Sequence, residues 1–422
     1  MKDPIVQASD SPHELEVLYR SNRKEFTRAL PAALAQCPDS AVLQAWHERL
    51  FFSDSAAPDD TPPPARWQSG DIALTVILSL VAGTLMKLPH FLSALDGGRF
   101  YARNLASIVI GALILFFCVQ KSCRDKTLTT ILTILAAALI YLNWLPGMPN
   151  SDTVFLACLH LPFALWSLLG IAFVGGKWRD LQGRMDYLRY NGELLIYTTL
   201  ILIGGMVLTG LTLGLFGLIH LQIEEWYGKN VAVYGSVAAP IVATLLITRI
   251  VGNRFRMAPL LAKVFTPLFL TMVLAYLIAM AIQRSSPYDD RDFLVAFNCL
   301  LMAVLGICVF SISERGHRPS AGALDLMNLA LVSVTLVIDL VALSAIVYRL
   351  SSYGFTPNRV AVLGANLLIF GHLAGIAHHY LRFIRNRAPF AVLENWIVRY
   401  LPAYTAWSVV AAVALPLLFK FA

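Results

Sequence analysis

The stretch LVSVTLVIDLVALSAIV, from Leu331 to Val347, contains a single ionisable residue, Asp339. An apolar run of about 17 to 25 residues is long enough to cross the hydrocarbon core of a bilayer as a helix. Similar runs recur from Ile72 almost to the end of the chain, and 57% of the residues are hydrophobic while only 14% are charged. The sequence therefore predicts an all-α integral membrane protein.

The apolar runs predict about eleven transmembrane helices. We expect these spans to start near Ile72, Asn104, Thr127, Thr153, Glu193, Val231, Val264, Phe293, Ala323, Arg359 and Pro402. Lys and Arg collect in alternate loops, and loops rich in them stay on the cytoplasmic side. The richer set includes residues 121–126, 177–189 and 382–387. This pattern predicts a cytoplasmic N-terminus and a C-terminus on the opposite side.

The charge and the cysteines exclude several kinds of site. The net charge of +7 is explained by topology and contact with the lipid bilayer, and no basic stripe with interleaved aromatics indicates nucleic-acid binding. The six cysteines form no paired framework. We therefore predict no disulfide, no metal site and no cofactor.

The polar N-terminal region predicts a small helical hairpin on the cytoplasmic side. Ser11, Pro12 and Glu14 match a capping box at a helix start, and a second start follows at Asp39 or Ser40. Because so short a region buries a small core, we expect it to lean on the membrane domain or on a cytoplasmic protein partner. The predicted organisation is a hairpin over 1–55, a Pro-rich linker over 56–70 and a polytopic transmembrane domain over 71–422.

Polar residues inside the apolar spans carry the functional signal, because an ionisable group in hydrocarbon costs about 2.5 to 3.5 kcal/mol. Asp325, Asn328 and Asp339 share one face of the ninth span, and Arg359 and Asn366 share one face of the tenth. We predict that Asp339, Asn366 and Arg359 form a polar track for a substrate or a proton. The alternative is an ordinary interhelical hydrogen bond, worth roughly 0.6 to 2 kcal/mol.

Histidines and glycines add two further patterns. His372 and His379 are seven residues apart on the tenth span and could relay protons, with a packed core position as the alternative. Small residues let helices approach closely. We expect such contacts along two sets of glycines, namely Gly210 with Gly214 in the fifth span and Gly364, Gly371 and Gly375 in the tenth.

The stretch YGFTPNRV, from Tyr353 to Val360, predicts a rigid turn between the ninth and tenth spans. Gly354 suits the left-handed position after a helix, Thr356 suits an N-cap, and Pro357 suits the first helical position. Arg359 then lies in the first turn of the next helix, within reach of a headgroup, an anion or Asp339.

This stretch resembles the Tyr-Gly-Leu-Thr-x-x-Arg-Val signature of a bacterial multi-pass family, domain of unknown function 4153, with Phe355 in place of the Leu. The resemblance implies a protein of the bacterial inner membrane. It carries over Tyr353, Gly354, Thr356 and Arg359 as motif residues, and it implies no particular reaction.

Three classes of function are compatible with these patterns. A transporter or permease explains the polar faces of the ninth and tenth spans. A membrane scaffold or regulatory protein explains the N-terminal hairpin as a docking module. A membrane-embedded transferase comes third, because the sequence has no HExxH, GxSxG or phosphate-loop motif, and we predict no catalytic residue.

Overall fold

The computed structural model describes residues 2–51, 69–92, 95–123, 125–147, 151–218, 221–251, 258–283, 291–315 and 320–421. All regular elements in these ranges are helices. The chain separates into two compact units, residues 1–66 and residues 67–422. The expected linker over 56–70 lies outside the described residues, apart from Ser69 and Gly70, which begin the first long apolar helix.

The described part of the N-terminal unit contains four helices, whereas the sequence predicts two. They are α1 (Lys2–Gln7), α2 (Pro12–Ser21), α3 (Arg23–Leu34) and α4 (Ala41–Phe51). Asn22 separates α2 from α3, because its side chain accepts a hydrogen bond from the Glu25 amide at 3.2 Å and so caps a new helix. Ser40 caps α4 in the same way through the Leu43 amide, whereas Ser11 occupies the N-cap of α2 without a side-chain bond.

This unit has a core of its own. Tyr19, Phe26 and Trp46 contact one another with ring centroids 5.1 to 5.6 Å apart. Leu15 and Leu30 are fully buried beside them. Aromatic side chains bury a large apolar area each, so they supply much of the stability of a small unit.

The second unit is a set of long apolar helices. Ten helices among the described residues are long and apolar enough to cross a membrane, and α12 carries a further shorter apolar stretch. Each of the eleven expected span starts lies within a different one of these helices. This confirms an all-α multi-pass membrane protein. The helices of the unit are α5 (Ser69–Met86), the short α6 (Leu88–Phe91), α7 (Gly97–Gln120), α8 (Asp125–Trp144), α9 (Asp152–Phe173), α10 (Leu181–Leu218), α11 (Glu224–Arg249), α12 (Ala258–Gln283), α13 (Arg291–Ser313), α14 (Ala323–Tyr353), α15 (Pro357–Ile384) and α16 (Ala391–Leu418).

Two helices begin more than ten residues earlier than the apolar pattern indicates. The fifth span starts at Leu181 rather than near Glu193, which makes α10 a 38-residue helix. The last span starts at Ala391 rather than near Pro402, because Leu393 and Ile397 face the core and are buried there. The segment before Pro402 is therefore the first part of a spanning helix.

Among the described residues the long helices form two large hydrophobic cores and two small ones. One large core joins α5, α7, α8, α9 and α11 with two tyrosines of α10. The other large core joins α12, α13, α14, α15 and α16 with Met185 and Leu188 of α10. The start of α10 contributes to both large cores, and α9 packs directly on α16, so these helices connect the two halves.

The glycines of α15 confirm the expected close approach. A Cβ built on any of them would meet an aromatic side chain of α16, with Gly364 facing Trp407, Gly371 facing Tyr400, and Gly375 facing Trp396. The glycines of α10 differ. Cβ atoms at Gly210 and Gly214 would meet nothing within 4 Å, so the contact expected there is not formed among the described residues.

Candidate functional site

The turn between α14 and α15 has the predicted local structure. Gly354 has a φ of 77°, and Pro357 is the first residue of α15. Thr356 is the N-cap, and its hydroxyl accepts a hydrogen bond from the Arg359 amide at 3.4 Å. The Arg359 guanidinium donates to the carbonyl oxygens of Tyr353 and Gly354, each at 2.8 Å. Arg359 thus closes the turn by bonding to the last carbonyl groups of the preceding helix.

Because Arg359 bonds within the turn, its side chain does not reach Asp339. Asp339 lies fourteen residues before Tyr353 in α14, which places it about 21 Å along the helix from the turn. No described residue makes a hydrogen bond to the Asp339 carboxyl, so the structure does not bring Arg359 to it. The expected track from the outer turn to Asp339 is not formed, because Arg359 reaches nearer acceptors in its own turn.

Asp325 has a structural role at the start of α14. Its carboxyl accepts hydrogen bonds from the Arg315 Nε and the Gly322 amide, both at 2.8 Å. The Arg315 guanidinium also lies over the rings of Phe383 and Phe390, at 4.6 and 4.2 Å from their centroids. The pair is nearly buried and well bonded. It therefore stabilises the start of α14 rather than offering a binding site.

Asn328 is likewise fully engaged. Its Nδ2 donates to Ser311 Oγ at 2.6 Å and to Tyr380 Oη at 3.3 Å, and its Oδ1 accepts from Thr266 Oγ1 at 3.4 Å. These bonds tie α14 to α12, α13 and α15. Asn328 therefore fits the alternative of an interhelical hydrogen bond.

Asp339 differs from both of these neighbours. Its side chain is fully buried, and neither carboxyl oxygen has a hydrogen-bond partner among the described residues. The expected bond to Asn366 is absent, and the Asn366 Nδ2 has no partner either. Buried polar groups in native structures are nearly always paired, so an unpaired carboxyl requires an explanation.

His372 and Asp339 lie at about the same depth in the bundle. It is fifteen residues after Pro357, about 22 Å along α15, whereas Asn366 is only about 14 Å along it. The His372 Nδ1 is 3.0 Å from the Tyr404 hydroxyl, and its Nε2 has no partner. The level of Asp339 in the bundle is therefore that of His372, not that of Asn366.

Tyr404 was not singled out from the sequence. It bonds to His372 and lies within electrostatic range of Asp339, with no hydrogen bond between the two. Tyr400 stacks on the His372 ring, with centroids 4.5 Å apart and planes 12° from parallel, and donates to the Leu368 carbonyl oxygen. The stacking fixes the plane of the imidazole. The sequence signal was the run of aromatics at 396, 400, 404 and 407, which share one face of a helix.

We define the candidate site as Asp339, Tyr404 and His372. A carboxyl, a phenol hydroxyl and an imidazole can each hold and pass on a proton. Asp339 and His372 each retain polar atoms without a partner in this conformation. The chemistry that this arrangement supports best is the binding and transfer of a proton in a closed, apolar environment.

A second polar cluster, between α7 and α8, was also missed from the sequence. Asn104 and Asn143 exchange side-chain hydrogen bonds of 3.0 and 2.8 Å. Arg103 donates to the backbone carbonyls of Asn143 and Pro146. Because its side chains bond to one another and to the backbone, this cluster serves to hold the two helices together.

Comparisons of the chain with protein-family models, with curated proteins and with solved structures found no match.

Proposed function

We propose that the protein is a proton-translocating transporter of the bacterial inner membrane, with Asp339, Tyr404 and His372 as its proton-carrying side chains. The observation that carries this proposal is the fully buried Asp339 carboxyl, which has no hydrogen-bond partner among the described residues. A charged carboxylate without a partner is costly to bury in hydrocarbon. Such residues are therefore rare inside membranes, and those that occur there mark functional positions such as proton relays.

The other buried polar residues of α14 support a functional interpretation by contrast. Asp325 and Asn328 each bond to several partners. The same helix therefore satisfies the polar residues that hold it in place and leaves Asp339 unsatisfied. A purely structural carboxyl would be expected to share the pattern of the first two.

A proton is favoured over a metal cation as the bound species. A hard cation requires several oxygen ligands around one point. Among the described residues no group of three or more His, Cys, Asp or Glu side chains could hold a metal ion. A single carboxyl, that of Asp339, with the Tyr404 phenol nearby is enough to bind a proton.

The proposed topology has eleven spans with the N-terminus in the cytoplasm, and α12 is the span added to the ten helices that meet the length and hydropathy criteria. The turn at Gly354 then faces outward. Asp339, about 21 Å along α14 from that turn, lies beyond the middle of a hydrocarbon core of about 30 Å. A proton entering from outside must therefore cross more than half the membrane. Membership of the family of domain of unknown function 4153 remains a proposal based on the motif at Tyr353.

Proton flux in liposomes tests the proposal. The purified protein is reconstituted, an inside-negative potential is imposed with potassium and valinomycin, and internal pH is followed with a trapped dye. We expect proton uptake with the wild type and none with Asp339→Asn. Thr335→Val is the matched control, because Thr335 is equally buried one turn away and, among the described residues, its hydroxyl bonds only to the Leu331 carbonyl oxygen. Equal flux in wild type and Asp339→Asn contradicts the proposal.

A docking role for the N-terminal unit is a second candidate function. The observation that favours it is the separate core around Tyr19, Phe26 and Trp46, in a unit with its own internal contacts. A compact cytoplasmic unit of this kind is suited to binding a protein partner. This role is compatible with transport, because the site and the unit lie in different parts of the chain.

A further inference from the structure

A groove of about 360 Å³ lies between α9, the start of α10 and α16. It is separate from the candidate site and follows the line where the two large hydrophobic cores meet. Its walls are mostly apolar and aromatic, and they include Trp166, Ile171, Trp178, Tyr187 and Leu401. Trp178 is half exposed and Pro402 is exposed, so the groove opens on the outer surface of the helical bundle.

One end of the groove is basic. The Arg184 guanidinium donates through Nε to the Trp178 carbonyl oxygen at 2.8 Å and through Nη1 to the Val398 carbonyl oxygen at 3.1 Å. A guanidinium has five N–H donors, so these bonds leave three without a partner among the described residues. Lys177 and Arg179 are exposed in the loop that precedes α10. The backbone bonds thus hold in place a cation that can still bind an anion.

The groove continues away from this end into the apolar part of the bundle. Ser167 lies seven residues before Val174 in α9, about 10 Å along the helix axis. At that depth the hydroxyls of Ser167 and Thr405 bond to each other at 2.7 Å, so they offer little to a polar ligand. The groove therefore suits a molecule with an anionic head and an apolar tail of about 10 Å or more.

We propose that this groove binds an anionic phospholipid of the bilayer, with its phosphate on Arg184 and one acyl chain along α9 and α16. An Arg binds a phosphate through two parallel hydrogen bonds, and the basic loop adds attraction for a negative headgroup. Two of its walls, α9 and α16, are long and apolar enough to cross a membrane, so we expect the groove to open toward lipid. The bound chain would fill the junction between the two large cores.

Native mass spectrometry of the full chain tests the charge preference. The protein is purified in detergent and equilibrated with equal amounts of phosphatidylglycerol and phosphatidylcholine. We expect wild type to retain phosphatidylglycerol preferentially, and Arg184→Gln to reduce that preference about fivefold, since each basic residue near the surface contributes about 1 kcal/mol. Arg399→Gln is the matched control, because Arg399 is exposed on α16 and does not line the groove.

Three further variants separate charge and shape from damage to the fold. Arg184→Lys keeps the charge and should keep most of the preference, so a loss as large as that of Arg184→Gln overturns the proposal. Ala406→Phe fills the groove and should reduce retention of both lipids, whereas Val409→Phe, at an exposed position outside the lining, should not. Equal retention of the two lipids by wild type, or equal effects of the two Phe variants, also overturns it.

Discussion

Asp339→Asn and Asp325→Asn make the same chemical change on one helix, and we expect opposite effects on stability and transport. Asp325 is paired with Arg315 at 2.8 Å, and their side chains are only 7% and 8% exposed. Neutralising one partner of a buried ion pair leaves the other charge uncompensated and costs about 3 to 5 kcal/mol. Asp339 has no bond to lose. Replacing its carboxyl by an amide of the same shape should change the free energy of unfolding by less than about 1 kcal/mol.

Unfolding of both purified variants in the same detergent, monitored against denaturant or temperature, measures this difference. The proton-flux assay then provides the second readout. We expect Asp339→Asn to unfold like the wild type and to carry no protons, and Asp325→Asn to be unstable while its folded fraction still carries them. A loss of 2 kcal/mol or more in Asp339→Asn would refute the reasoning, because it would show that the carboxyl has bonding partners that hold the fold together.

Three other changes test separate parts of the fold. Gly354→Val should lower the free energy of unfolding by about 1 to 2 kcal/mol, because a β-branched residue is strained at a φ of 77°, and an unchanged melting temperature would contradict this. Gly364→Leu should lower the melting temperature more strongly than Gly214→Leu, because its side chain would overlap Trp407 whereas Gly214 faces open space. Deleting residues 1–58 should leave a membrane-inserted protein, and failure to insert on membrane fractionation would rule out a dispensable docking unit.

The spans and the motif turn could be predicted because their signals are local. Length and hydropathy identify a spanning helix within one window of sequence. In the turn, Gly354 can adopt a positive φ without steric cost and Thr356 favours the N-cap, and the structure places them accordingly. The break at Asn22 had a local signal as well, since Asn22 and Glu25 have the spacing of an N-cap and its third residue.

The partners of the polar residues could not be predicted from the sequence. Arg359 was expected to reach into the membrane, but the carbonyl oxygens at Tyr353 and Gly354 are closer in the folded turn. Tyr404 was missed because a tyrosine near the predicted start of a span is typical of the membrane interface. Asp339 was singled out correctly as a buried carboxyl. Its position at the same depth as His372 depends on how α14, α15 and α16 pack together, and no single segment of sequence determines that.

Alternating access of the site to the two sides of the membrane is the most direct test of the transport proposal. Ala342 is fully buried one turn from Asp339, so Ala342→Cys reports on the site while keeping the carboxyl. All native cysteines except Cys308 are replaced, because Cys308 is also fully buried and serves as the internal reference. A membrane-impermeant thiol reagent is then applied to right-side-out and to inside-out vesicles. We predict labelling of the Ala342→Cys thiol from both sides at a rate above that of Cys308, and labelling no faster than Cys308 from either side would contradict transport through this site.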